Sequence, residues 1–162
     1  MKASRASSFC DRVPRKNEQL LRDARFDDHE LACLDVSRLF FSTFATPDTH
    51  NWVRAIEFSE YVFDHKQGAV LATLLMKLIQ AIRSSRTSVF VFSNPDCPGC
   101  SRILTEHERR LILAIASARR RRQERARIEM MMLCEGNDTG AVMLWLNELC
   151  LALPKPCPAR NL

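Results

Sequence analysis

At 162 residues the chain is long enough for one domain with a real core, and 46% apolar against 27% charged residues is ordinary globular composition. Four glycines are too few for an all-β fold of tight turns or for a Gly-rich phosphate or dinucleotide loop. The net charge of +5 permits acidic partners but is modest for a dedicated nucleic-acid binder.

The charge is uneven. Residues 1–26 carry seven Lys/Arg against three Asp/Glu, residues 27–100 six against nine, and residues 101–129 nine against four. No apolar run reaches the roughly 18 residues of a membrane span, and Lys2 and Arg5 precede no signal-like apolar stretch. The expected compartment is therefore the cytoplasm. The seven cysteines (10, 33, 97, 100, 134, 150, 157) are then expected as reduced thiols, since their odd number and irregular spacing do not resemble a disulfide framework.

In chain order, residues 1–26 show no sustained apolar face and read as a disordered or loosely helical basic tail. A single helical domain follows over 27–153. Leu31, Leu34, Leu39, Phe40 and Phe44 predict a first helix over about 29–45, ended by Thr46-Pro47-Asp48. Asp48 or Thr49 can cap a second over about 49–63, with Trp52, Ile56 and Val62 on its apolar face. Gln67-Gly68 reads as a break or a start. A third helix then runs to about 84 on the stripe Leu71, Leu74, Leu75, Leu78, Ile82. Thr87–Phe92 is β-prone and short, an isolated extended segment or an edge strand.

Thr105-Glu106-His107-Glu108 is a capping-box pattern opening a helix with Leu111, Ile112 and Ile115 on its apolar side. A further helix is predicted over about 123–134, stopped by Glu135-Gly136-Asn137-Asp138. Asp138 or Thr139 caps a last one bearing Val142, Trp145, Leu146 and Leu149. Residues 154–162 form a Pro-rich tail. The expected fold is a mainly α compact bundle of five to six helices, with one extended segment before a Cys-x-x-Cys turn.

That turn, Asn94-Pro95-Asp96-Cys97-Pro98-Gly99-Cys100, is the most specific motif in the chain. Three readings stand beside one another. A Pro-Gly turn can simply connect two elements with both thiols buried and reduced, which asks least of the residues. Two cysteines two apart can present thiolates to one zinc, with His107, Cys134, Cys33 or a second subunit completing the ligands. An extended segment, Cys-Pro-x-Cys and a helix also resemble the opening of thioredoxin-like enzymes, where the helix N-terminus activates the first thiol. Against that last reading, no proline lies between Pro98 and Pro154, no strand-like run follows Phe92, and the capping box begins its helix five residues after Cys100.

Arg119, Arg120, Arg121, Arg122, Arg125 and Arg127 lie within nine residues. Arginine can hold phosphate bidentately, so the segment is a candidate contact for nucleic acid or an acidic partner. A solvated helix connection partly neutralised by Glu124 and Glu129 is the simpler account. The four histidines share no metal spacing, Asp27-Asp28 and Glu57/Glu60 read as surface charge, and no nucleophile elbow or P-loop is present, so no catalytic residues are assigned.

The pair around Trp52-Val53-Arg54-Ala55-Ile56, the Leu71–Ile82 helix, and the Cys97–Cys100 turn followed by Leu104-Thr105-Glu106-His107-Glu108-Arg109 resemble small uncharacterised helical proteins of alphaproteobacteria. The resemblance spans about Leu34 to Ile115. It implies a bacterial cytosolic protein and brings no activity or functional residues. The function expected is a non-enzymatic interaction or regulatory module with a protein partner and no membrane role. A structural zinc at Cys97/Cys100, with His107 and Cys134 as candidate further ligands, is its candidate cofactor. A nucleic-acid-binding regulator and a thiol-disulfide oxidoreductase are the alternatives.

Overall fold

The computed structural model describes residues 10–156. The chain is mainly α, as its periodicities predict, with seven α-helices among the described residues and a minimal sheet. The helices are α1 (Asp28–Ala45), α2 (Asn51–Phe63), α3 (His65–Ser85), α4 (Pro98–Ser101), α5 (Glu106–Arg119), α6 (Gln123–Leu133) and α7 (Gly140–Ala152). Two short strands, β1 (Gln19–Leu20) and β2 (Ile103–Leu104), pair antiparallel, with Gln19 opposite Leu104.

Helices α1, α3 and α5 form the centre, flanked by α2, α6 and α7. Their shared core includes Leu34, Phe41, Leu71, Leu75, Leu78, Ile82, Leu111, Ile115 and Leu146, all buried. The Leu71–Ile82 stripe faces inward as its spacing requires, with Leu74 at its partly buried edge.

Helix α2 departs from expectation in part. Ile56 and Val62 pack on the core as expected, but Trp52 is exposed, and the inward face is completed by buried Ala55, Ser59 and Phe63. The reason is Gly68, which lies inside α3 rather than at a break. A Cβ there would fall 2.4 Å from Glu60 Cα, so the missing side chain lets the two backbones touch. Ser59 Oγ seals the contact by donating to Gly68 O at 2.8 Å. The cap between these helices is Asp64, whose carboxylate accepts from the Lys66 and Gln67 amides.

The N-terminal tail is also corrected from Cys10 onward. Residues 10–26 lie against the body: β1 pairs with β2, Leu21 N–H donates to Arg102 O at 2.8 Å, and Leu21, Ala24 and Phe26 pack on the core. Polar residues such as Arg12 and Glu18 concealed this, because they pair with each other rather than with solvent. Residues 1–9 and 157–162, with Cys157, lie outside the described residues.

Two capping boxes organise the centre. In α5, Thr105 Oγ1 accepts from Glu108 N at 3.2 Å while Glu108 Oε2 accepts from Thr105 N at 2.8 Å, as the sequence pattern predicts. In α1, Asp27 and Glu30 exchange the same bonds at 2.9 and 3.0 Å. Each box then receives a buried arginine from the other helix. Arg38 of α1 donates to Glu108 at 2.7 and 3.2 Å; Arg119 of α5 donates to Asp27 at 2.8 and 2.9 Å and to Glu30 at 2.9 Å. The two helices are thus pinned antiparallel at both ends.

Candidate metal centre

The segment Thr87–Ser93 is extended but joins no strand. Its polar groups go to side chains. Glu135 accepts from Thr87 N at 2.9 Å and Thr87 Oγ1 at 2.7 Å, and with Ser88 these bonds hold its carboxyl down to about 2. Val91 N–H donates to His107 Nδ1 at 2.9 Å, and Val91 O accepts from Thr105 Oγ1 at 2.8 Å. Ser93 N–H reaches Glu108 Oε1 at 3.0 Å, and Ser93 Oγ donates to Ile103 O at 2.6 Å. Phe90 stacks on Phe41 with ring centroids 3.9 Å apart.

The same Glu108 anchors Arg38, which uses every guanidinium nitrogen. Nη1 donates to Ser101 O and Nη2 to Ile103 O, both at 2.8 Å. These carbonyls immediately follow Cys100. The cysteine turn is therefore held from both sides by one buried ion pair: Ser93 before it, Ser101 and Ile103 after it. On the outside, exposed Arg54 clamps Asp96 at 2.8 Å, which keeps that carboxyl below its usual range.

Within this frame Cys97 caps α4. Its Sγ accepts from Cys100 N at 3.4 Å. Contrary to the expectation from the Thr105 capping box, a helix does begin beside Cys97. One turn of helix starts at Pro98, whose fixed φ suits a first helical position, before the capped α5 begins. The Cys100 amide and side chain hold the Cys97 thiol below its ordinary value, and hydrogen bonding to Cys97 followed by burial raises Cys100.

The third sulfur comes from the N-terminal segment. Cys10 Sγ lies 3.6 Å from Cys100 Sγ, and the sulfurs of Cys10, Cys97 and Cys100 all lie within 4.8 Å of one another. Thiolates bound to one zinc at about 2.3 Å sit roughly 3.8 Å apart in a tetrahedral arrangement. Gly99 makes the approach possible: a Cβ on it would lie 1.7 Å from Cys10 O. Arg12, paired with Glu18, lies beside the Cys100 thiol and acts to lower its pKa against the larger effects of Cys97 and burial. A cleft of about 750 Å³ opens next to it, lined by Arg12, Leu20, Arg22, Leu31, Arg38 and Arg102, among others.

Of the four metal ligands proposed from sequence, Cys97 and Cys100 belong to this cluster, whereas His107 and Cys134 do not. His107 is occupied by Val91 and tilts against Phe90, and burial with the nearby Arg86 lowers its basicity. Cys134 is buried at the end of α6 in the core. Cys10 has no sequence signal as a ligand, because nothing in the 86 residues between it and Cys97 indicates that the N-terminal segment returns to the turn. The one available hint was Gly99 itself, a residue that admits another backbone. Burial sends the remaining helix thiols the other way: Cys33 is strongly raised and Cys150 is pushed up to about 12.

The six arginines do not form one surface. Arg119 is buried on Asp27, Glu30 and Pro154 O, and Arg120 pairs with Glu30. Arg121, Arg122, Arg125 and Arg127 are exposed. Ile128, Met131 and Met132 are exposed on the following turns of α6.

No family model matches the chain, and no curated protein or solved structure matches it. No helix among the described residues is long and apolar enough to cross a membrane.

Proposed function

We propose that this chain is a non-enzymatic interaction or regulatory module of the bacterial cytosol, built around a zinc centre whose protein ligands are Cys10, Cys97 and Cys100. The observation that carries the reading is the convergence of three sulfurs from two distant segments over a glycine whose missing side chain makes room for Cys10. Soft thiolates favour zinc over hard cations, and the adjacent Arg12 offsets the negative charge of a three-thiolate complex. Three protein donors leave one coordination position for water or an outside ligand. The metal would pin the N-terminal segment to the cysteine turn, which joins α5 to the rest of the fold.

The partner surface would be α6. Its exposed arginines beside Ile128, Met131 and Met132 combine positive charge with adaptable apolar area, which suits an acidic amphipathic protein partner.

Elemental analysis of protein purified without chelator tests the centre. One zinc per chain is expected, lost in Cys10→Ser, Cys97→Ser and Cys100→Ser and retained in Cys134→Ser. Substitution with cobalt should give the intense sulfur-to-metal absorption of thiolate ligation. Zinc retained in Cys10→Ser would remove the N-terminal segment from the site.

A further inference from the structure

We propose that the three-sulfur centre reacts with hydroperoxides, Cys97 acting as the nucleophile and Cys100 as the resolving thiol, so that oxidation ejects the metal and releases Cys10. This rests on the reading of Cys10, Cys97 and Cys100 as one metal-holding centre.

Three features of the geometry carry it. First, Cys97 and Cys100 share one turn, with Cys97 Sγ already receiving the Cys100 amide, so their sulfurs can join without moving a helix of the core. Second, all three thiols are only half-buried, whereas Cys33 and Cys134 are buried, and Cys150, though also half-buried, is turned to Ile115 O. Third, the ligands are unequally attached. Cys97 and Cys100 belong to a turn fixed by Arg38 and Glu108, while Cys10 lies on an arm whose anchors to the body, the β1–β2 pair, the Leu21–Arg102 bond and the packing of Leu21, Ala24 and Phe26, come nine or more residues later. Losing the first two donors leaves a single thiolate, too few to keep zinc.

The chemistry balances with the hydroperoxide as sole oxidant. The Cys97 thiolate attacks the terminal peroxide oxygen; an S–O bond forms, the O–O bond breaks, and the alkoxide leaves, taking a proton from solvent. The Cys100 thiolate then attacks the Cys97 sulfenic acid; an S–S bond forms, the S–O bond breaks, and hydroxide leaves as water after gaining a second proton. Two thiolates lose two electrons and the peroxide gains them.

The test treats zinc-loaded full-length protein with one equivalent of hydrogen peroxide, reading released zinc with a chromogenic chelator and mapping disulfides by peptide mass spectrometry. The expected result is one zinc released per Cys97–Cys100 bridge, with Cys33, Cys134 and Cys150 still reduced. Cys97→Ser should slow thiol loss at the turn by more than about tenfold, while Cys10→Ser should still form the bridge. Zinc retained with all thiols free, when the same peroxide oxidises glutathione in a parallel tube without the protein, would overturn the proposal and leave the metal centre standing. A Cys10–Cys100 bridge forming undiminished in Cys97→Ser would also overturn it. A chain that takes up no zinc yet forms the Cys97–Cys100 bridge would overturn the metal centre and the ejection step, but uphold the thiol reaction.

Discussion

The two junctions between α1 and α5 use one device for different ends. At each, a capping-box glutamate is buried and receives an arginine from the opposite helix. The Arg38 junction is saturated: every guanidinium nitrogen has a partner, and two of its bonds reach the carbonyls of Ser101 and Ile103. The Arg119 junction is not. Its Nε is buried without a partner among the described residues, and its second terminal nitrogen holds Pro154 O near the end of α7. An arginine bonded at all three nitrogens fixes direction as well as distance, because its planar fork has little freedom left to turn. The first junction therefore positions a turn carrying sulfur ligands; the second fastens helix ends.

Substituting the arginines separately should expose that difference. Removing one partner of a buried ion pair strands the other charge and costs about 3–5 kcal/mol. Arg38→Met and Arg119→Met should both lower stability by that order in denaturant titrations. Only Arg38→Met should also lower zinc affinity in protein verified as folded, since only it frees the carbonyls behind Cys100. Equal losses of zinc affinity in both variants would dissolve the distinction and reduce both junctions to general stabilisers.

Gly99→Ala should separate the site from the scaffold further. The added methyl would overlap Cys10 O, and the arm has weaker attachments than the turn, so the arm should move. Zinc binding should fall to the level of Cys10→Ser. The cost in global stability should be below about 1 kcal/mol, because the helical core is untouched. A loss as large as that of Arg38→Met would mean that the arm is part of the cooperative core.

What the sequence disclosed and what it withheld follow the range of the interactions. The Thr105–Glu108 box and the Leu71–Ile82 stripe are written in adjacent turns of one helix, so residue spacing suffices to find them. Asp27 and Glu30 form an equally local box, yet the Asp27-Asp28 pair suggests a charged surface until Arg119 is seen buried against it. Arg38 is a lone cation in an apolar helix whose partner lies 70 residues away. Cys10 is 90 residues from Cys100, and Gly68 meets Glu60 only because α2 folds back onto α3. Each of these is a non-local closure, set by packing rather than by any repeat in the chain. The segment before the turn reads as an isolated extended segment or an edge strand, and the choice between them is non-local for a related reason. Its β-prone residues are real, but their backbone partners are the side chains of Glu135, His107 and Glu108, which no strand pattern encodes.

The arginine segment gives the finest division, since neighbours of identical chemistry should behave oppositely. Arg125 and Arg127 are exposed, and the one ion pair joining Arg127 to Glu124 spans 3.8 Å between side chains that are 65% and 85% exposed. Such a pair is worth between zero and about 1 kcal/mol, and salt screens it further. Arg125→Ala and Arg127→Ala should therefore shift the denaturation midpoint by no more than about 0.5 kcal/mol of stability, with helix propensity offsetting part of even that. Arg119→Met, six residues before Arg125, should lie several kcal/mol away on the same titration. If the exposed variants instead lose affinity for an acidic partner peptide without losing stability, the run divides between two uses: its first two arginines close the α1–α5 junction, and the later ones meet the partner.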